Sequence, residues 1–341
     1  MKGLFYHADV TEPDFVFEEL SAPDAINDHH VRVQVTACGL RPVDTQLVAD
    51  AGLQKPLIPV GREVVGVVLQ VGPKVTFLQQ NDEVAGLLPL DSSYSGLCGV
   101  IDIEEQYLVQ KPAKLPSATV ASALQDGLCA YMALHMHAHA AAGQTLLVVD
   151  GASPLGQMCI QLACYHNVKV LTTSHSPQDH DFLQQLRPAV ARVIAIHNNS
   201  PDLLSVVLEE TGGIGVDIVI DAGACLQETE ETRLHPDKHD IISALAVGGH
   251  WVTTHQNLQL DPPDCRFLFL KSACVSFLNP EVWTAAAAQQ GRFLHILKDL
   301  MDKMAAGILR PQSVEAVPFA EMLDVMKMVQ SGQRRKAVVR F

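Results

Sequence analysis

Residues 145–163, TLLVVDGASPLGQMCIQLA, hold the spacing with the most chemical content in this chain. The apolar run Leu146-Leu147-Val148-Val149 meets the turn Asp150-Gly151-Ala152-Ser153-Pro154-Leu155-Gly156. A helical pattern carrying Met158, Ile160 and Leu162 follows. Strand, glycine turn and helix, in that order, give a glycine motif the context of a dinucleotide site. Gly151 permits a tight turn, and Gly156 lets the helix pack close to the sheet. The helix N-terminus offers free N–H groups and a positive dipole end to a pyrophosphate. Cofactor binding is therefore expected at Gly151, Ala152, Ser153, Pro154, Leu155 and Gly156. The middle glycine of G-x-G-x-x-G is here Ser153, small enough for a phosphate to approach and with a hydroxyl able to donate to it. The competing reading is an ordinary strand-to-helix turn.

The end of the second strand of such a unit sets the choice of cofactor. An enzyme using NAD places an acid there for the ribose 2′-hydroxyl, whereas this chain has Thr172-Thr173-Ser174-His175. No acid repels a 2′-phosphate, and no Arg or Lys in that turn grips one. Thr173, Ser174 and His175 are thus expected to favour NADP(H) over NAD(H) with modest affinity. Asp221 and Ala222 end a later strand, where open sheets bind cofactors, although Asp221 could equally fix the turn that follows.

Other side chains carry weaker signals. His135, His137 and His139 form an HxHxH run in which 135 and 139 share a helix face. Metal binding there competes with a solvated helix end. Asp126 is expected to cap or to pair with Arg62, and Tyr131 to pack in the core rather than act as an acid.

The chain has 341 residues, beyond the size at which one core usually keeps growing, so two domains are expected. A hydrophobic fraction of 48% with no low-complexity tract describes a globular protein. No apolar run reaches membrane-spanning length, and the first residues lack the basic head and apolar core of a signal peptide. The 8 cysteines are scattered with no CxxC pair, which points to reduced thiols and a cytoplasmic location. With 24 basic against 38 acidic residues, a formal charge of −14 argues against direct contact with nucleic acid. Arg334-Arg335-Lys336 reads as solvated chain end.

Residues 1–119 read as short strands: 30–38 alternates, 62–72 is a β-branched run broken by Gly66, and 82–90 and 105–110 follow. From about 120 the rhythm becomes alternating helices and strands. A helix over 121–138 leads to strands at 145–149, 168–173, 191–196, 216–221, 250–254 and 273–278. Helices are expected at 154–166 and near 178–187, 200–210 and 240–246. That alternation predicts an α/β fold with a doubly wound parallel sheet. An amphipathic helix over 292–307, a short helix and a final strand at 336–341 close the chain. The polar stretch 225–240 is expected to be a mobile, exposed loop that contacts a partner protein, or else a lid near the cofactor mouth.

The segments PVGREVVGVVLQVGPKVTFLQQNDEVAG, GASPLG, GGIGVDIVIDAGA, LAVGGHWVTT and GILRPQSVEAVPFAEMLDVMKMVQSGQ resemble the medium-chain dehydrogenase/reductase superfamily, in its quinone oxidoreductase (zeta-crystallin) branch. The resemblance implies a GroES-like β-rich catalytic domain from residues 1–119 and 279–341. A Rossmann domain over 120–278 would be inserted between them, with NADP(H) as cofactor and a homodimer formed through the Rossmann domains. The Cys, His and Cys that hold catalytic zinc in related alcohol dehydrogenases fall here on Arg41, Arg62 and Gln125. Two cations and an amide do not replace those ligands, so no zinc is expected. The N-P-x-D-x-Y pocket segment reads Arg41-Pro42-Val43-Asp44-Thr45-Gln46. A substrate pocket of Arg41, Gln46, Arg62 and Gln125 is expected, its two guanidinium groups suiting an anionic substrate unless Asp44, Glu63 or Asp126 neutralises them.

Two functions follow from the resemblance. One is zinc-independent, NADPH-dependent hydride transfer to a quinone or activated carbonyl. The other is a non-catalytic, dehydrogenase-derived subunit of a cytoplasmic, endosome-associated assembly connected with mRNA, whose RNA contacts are made by partner proteins.

Overall fold

The computed structural model describes residues 2–7, 15–20, 25–42, 57–196, 203–221, 236–312 and 314–341. The chain forms two compact units. One takes Met1–Gln125, Glu281–Gly307 and Pro311–Phe341, and the other Asp126–Pro280 and Ile308–Arg310.

In the first unit, β1 (Lys2–His7) pairs antiparallel with β2 (Phe15–Glu19) and β4 (Leu57–Pro59). A larger sheet uses β3 (His30–Leu40), β5 (Glu63–Val71), β6 (Glu83–Leu87), β7 (Val100–Glu104) and β8 (Leu108–Gln110). The chain end adds β15 (Ala316–Pro318) and β16 (Ala337–Arg340), giving the order β15-β16-β3-β5-β6-β8 with β7 on β3. Val31, Val33 and Val35 of β3 point into the core, as alternation demands of a strand with one buried face. β16 pairs Ala337 with Leu40 and Arg340 with Ala37, so distant chain segments build one sheet. The helix Met322–Gln330 buries Met322, Val325, Met326 and Val329, one helical stripe, in the same core.

The second unit is an all-parallel sheet of β9 (Thr145–Val149), β10 (Lys169–Ser174), β11 (Arg192–Ala195), β12 (Val216–Asp221), β13 (Leu245–Thr253) and β14 (Cys274–Phe277). Its order, β11-β10-β9-β12-β13-β14, is that of the doubly wound dinucleotide fold. The strand order reverses beside β9, and such sheets bind ligands outside the carboxyl ends of the strands at that point. Leu146 to Val149 are all buried, because a central parallel strand is covered on both faces. Helices follow the strands at Pro154–Tyr165, Pro177–Gln185 and Pro262–Leu270, each with proline at its first position after a Ser or Asp N-cap. The segment 308–310 joins this unit through Gln161, which donates to Arg310 O at 3.1 Å and accepts from its N–H at 2.6 Å.

Several expectations are corrected. The single helix over 121–138 is Ser117–Ala121, Leu124–Tyr131 and a π-helical turn over Met132–His137. The helix Pro262–Leu270, which the sequence reading did not mark, separates β13 from β14. The stretch expected as a loop over 225–240 lies outside the described residues up to 235, and its end is helical. Asp237 caps the helix Lys238–Ala244, and Lys238 binds Asp261 at 2.7 Å and Asp264 at 3.0 Å. Acidic partners on a neighbouring helix hold residues that composition alone marked as loose.

The turn after β9 shows why glycine is needed. A Cβ at Gly151 would lie 2.0 Å from Thr172 Oγ1 on β10, and one at Gly156 would lie 2.4 Å from the carbonyl oxygen of Asp150. Thr172 Oγ1 donates to Val148 O at 2.9 Å, so it cannot swing away without losing that bond. Gly151→Ala is expected to cost about 1–3 kcal/mol in denaturant unfolding. In the double variant with Thr172→Ala the combined loss should fall short of the sum of the single losses, because the clashing hydroxyl is gone. Strict additivity would contradict the close approach.

Candidate functional site

Three chain segments are stitched together at the carboxyl ends of β9 and β10. Asp150 adopts a positive φ of 57°, a conformation Asp tolerates better than most residues. Its N–H donates to Thr173 Oγ1 at 2.8 Å, and the Gly151 N–H donates to Thr173 O at 3.2 Å. Ser153 is the N-cap of the helix Pro154–Tyr165, with φ −65° and ψ 155°. Those angles suit any L-residue, which is why the middle glycine of the motif can be serine.

The expected role of the Ser153 hydroxyl needs correction. It accepts from the Gly156 N–H at 3.0 Å and donates its own proton to Asp150 O at 2.7 Å. It closes the cap, and in this arrangement its proton is spent inside the turn. Pro154 has no N–H. Among the described residues no acceptor takes the N–H groups of Ala152 and Leu155, the first-turn donors that remain. Two backbone donors at a helix N-terminus, on a turn with no room for further side chains, fit a pyrophosphate.

Beside the turn, a pocket of about 260 Å³ is lined by Ser174, His175, His180, Asp181 and Ile196, among others. Thr173, expected here, is fully buried and spends its polar atoms on the turn. His175 Nε2 lies 4.0 Å from Asp150 Oδ1. Among the described residues no Lys or Arg lines the pocket. His180 enters from the helix Pro177–Gln185, with Nδ1 3.1 Å from Ser174 Oγ and Nε2 2.9 Å from Gln184 Nε2. Asp221 ends β12 but is held by His255 Nε2 at 3.1 Å, with Thr253 Oγ1 donating at 3.4 Å, an arrangement that fixes the strand end. Ala222 lies outside the described residues.

The HxHxH run divides. His135 stacks with Tyr131 and His166, ring centroids 4.6 Å away in each case, whereas His139 leaves the helix at φ 50° and meets His250 at 6.4 Å. The π-helical turn separates 135 from 139, so the shared face expected for them does not form. Burial pushes the imidazoles of His137 and His250 below the usual range, with His139 adding repulsion. Burial pushes the thiols of Cys98, Cys159 and Cys164 upward, which removes them as nucleophiles. Among the described residues no three His, Cys, Asp or Glu side chains converge as metal ligands.

In the other unit, the residues expected to line a substrate pocket belong to a buried polar cluster. Arg62 Nη1 is ion-paired with Glu281, and Arg62 Nε donates to Leu88 O at 2.9 Å. Gln125 Nε2 donates to Glu281 Oε1 at 2.9 Å, and the Gln125 N–H donates to Glu63 Oε2 at 3.0 Å. Lys336, expected as solvated chain end, is instead buried and binds Glu63 at 2.8 Å. Every side chain in the cluster is almost wholly buried. Arg62 thus carries the carboxylate of Glu281, which the sequence reading had not weighed, and the expectation of Arg62 as an unopposed cation for an anionic substrate is corrected; Asp44 lies outside the described residues. Arg41 is partly buried at the end of β3, and Gln46 lies outside the described residues.

The alcohol dehydrogenase GroES-like domain family matches residues 27–137. Quinone oxidoreductase-like protein 1 of Mus musculus is 49% identical over 348 aligned positions that cover 100% of each chain. The chain belongs to the quinone oxidoreductase branch of the medium-chain dehydrogenase/reductase superfamily. Solved structures agree on its fold. An alcohol dehydrogenase superfamily protein from Novosphingobium aromaticivorans superposes with TM-score 0.84 at 22% identity, covering 99% of each chain. A mycobacterial protein solved in complex with NADPH superposes with TM-score 0.78 at 21% identity, covering 100% of each chain.

For a quinone oxidoreductase-like chain, the turn 150–156 was legible as a motif, but the partners that fix the other sites were not. Glu281 lies 219 residues from Arg62 and 156 from Gln125, and Lys336 lies 273 from Glu63, so no local pattern links them. His180 and Gln184 did carry a signal, since i and i+4 positions share a helix face. Removing one member of a buried ion pair strands the other charge. Glu281→Ala is therefore expected to destabilise the protein by about 3–5 kcal/mol, with most of the loss recovered when Arg62→Met is added. Equal stability of Glu281→Ala and wild type in denaturant melts would refute the cluster's role.

Proposed function

We propose that this protein is a zinc-independent, NADPH-dependent oxidoreductase that reduces a quinone or an activated carbonyl compound. The observation that carries the reading is the turn at the end of β9. Glycines at 151 and 156 admit close packing there, and the Ala152 and Leu155 N–H groups remain available at the helix N-terminus. The relative solved with NADPH supports the choice of cofactor. Ala152 and Leu155 would hold the pyrophosphate, and Ser174 and His175 would face the adenosine ribose. When bound, NADPH supplies the hydride, so the protein's own residues need only bind and orient both reactants. A small-molecule acceptor fits the family. None of the three relatives reported above carries a name that points to the non-catalytic assembly role.

A homodimer through the Rossmann unit is part of this proposal. β14 lies at the edge of the parallel sheet, and Phe277 at its end is half exposed. The Gly248 N–H donates to Lys271 O at 2.7 Å, which brings Val247 beside the approach to β14, and Val247 and Phe269 are each 81% exposed. An apolar sheet edge of this kind is open to pairing with its own copy. No helix is long and apolar enough to cross a membrane among the described residues.

Calorimetric titration is expected to give a lower Kd for NADPH than for NADH. Equal or tighter NADH binding would overturn the preference, and no binding of either would overturn the enzymatic reading. Sedimentation should give twice the chain mass for the wild type and the single-chain mass for Phe269→Glu. A monomeric wild type would refute the dimer.

A further inference from the structure

The pocket at the end of β10 contains a hydrogen-bond chain whose direction is fixed by its chemistry. The Gln184 side-chain nitrogen, 2.9 Å from His180 Nε2, can donate and cannot accept, so His180 Nε2 is the acceptor. A neutral imidazole with Nε2 accepting carries its proton on Nδ1. That proton is donated to Ser174 Oγ at 3.1 Å. With a lone pair of Ser174 occupied by His180, the hydroxyl proton is left to be donated elsewhere. Among the described residues no acceptor takes it, although Ser174 is 99% buried and lines the pocket. The backbone carbonyl of Ser174 is occupied by the Ile196 N–H at 2.8 Å, which holds the residue at the strand end.

A buried hydroxyl whose proton is directed into a pocket at the carboxyl end of a parallel strand is a built donor. The surroundings say what it suits. The ionisable groups lining the pocket are His175, His180 and Asp181, with Asp150 behind His175. Among the described residues no guanidinium or ammonium group lines it, so an anion held there by them depends on directed neutral donors.

We infer that Ser174 is the residue that selects for the cofactor's 2′-phosphate, with His180 and Gln184 as positioning residues that aim its hydroxyl through the chain Gln184 to His180 to Ser174. The inference rests on the cofactor reading above and names the residue that gives it specificity. A hydroxyl donates more strongly to a phosphate oxygen than to a neutral ribose hydroxyl. The relay therefore favours NADPH without any basic side chain. Asp181 and Asp150 oppose a dianion, which keeps the preference moderate.

Calorimetry on the full chain tests this with NADPH, NADH and the fragments 2′,5′-ADP and 5′-AMP. Loss of one hydrogen bond to a charged group corresponds to roughly a tenfold change in affinity. Ser174→Ala is expected to weaken NADPH and 2′,5′-ADP about tenfold, with NADH and 5′-AMP changed by less than about threefold. His180→Ala should shift the same ratio in the same direction, because it removes the donor that orients the Ser174 hydroxyl. His180→Asn should restore it, because an Asn amide nitrogen can take the place of the Nδ1 donor. Nitrogen NMR of the wild type should show His180 as the neutral Nδ1–H tautomer. Wild-type ratios in Ser174→Ala or His180→Ala, in protein whose circular dichroism and thermal midpoint match the wild type, would overturn the inference and leave the cofactor reading standing. A wild type that binds neither NADPH nor 2′,5′-ADP would overturn both.

Discussion

The approach of three backbone segments at residues 150–156 sets the terms for everything around the cofactor end of the Rossmann unit. β10 comes so near the turn that a single carbon at Gly151 would overlap the Thr172 hydroxyl, and the helix start comes so near that a carbon at Gly156 would overlap a carbonyl. Side chains are thereby excluded from the turn, and backbone N–H groups become the donors. The same closeness forces Asp150 to a positive φ and makes Thr172 and Thr173 into braces. Hydroxyls that looked available in sequence are consumed in building the turn. Close packing supplies the geometry, and the hydroxyls satisfy the polar groups that the packing buries.

That division of labour explains the difference between residues that hold the site and residues that face it. Thr172, Thr173 and Ser153 all have hydroxyls with a satisfied partner inside the protein. Ser174 is the next residue along the strand, and its hydroxyl turns to the pocket, where the neighbouring helix supplies a side-chain partner. Strand alternation alone predicts that adjacent residues face opposite sides. It does not tell which hydroxyl finds an internal acceptor, and that is why the sequence reading assigned Thr173 and Ser174 alike.

Much of the fold was legible because its signals are local. The continuous apolar run 146–149 reads as a central parallel strand, the alternation at 31–35 as a half-buried one, and the stripe of Met322, Val325, Met326 and Val329 as a packed helix. Signals that depend on distant partners were not legible. The helix Pro262–Leu270 begins with two prolines and carries no mark in the sequence reading; Asp261 and Asp264 at its start accept Lys238 from a separate helix. The π-helical turn over Met132–His137 has no composition of its own, and it decides which histidines meet. Arg62 and Gln125 stood out as departures from a metal-binding pattern, but Glu281, the carboxylate they share, lies 219 and 156 residues away, beyond the inserted unit in sequence.

The buried cluster in the first unit bears on substrate chemistry through its charge balance. Arg62 and Lys336 carry two positive charges, and Glu281 and Glu63 two negative ones, each cation paired with one carboxylate. Gln125 donates to both carboxylates, through its side chain and its backbone, so it joins the two pairs into one network without adding charge. Burying charges is tolerable when they are paired and further hydrogen-bonded, and this arrangement meets both conditions. A metal centre at the same positions would concentrate positive charge and polarise a bound oxygen. Four charges that cancel in pairs leave only a short-range dipolar field, far weaker than that of a divalent ion. In the reduction proposed for this chain the acceptor would then have to be activated by its own structure, which favours acceptors already electron-poor, such as quinones and activated carbonyls, over simple carbonyls.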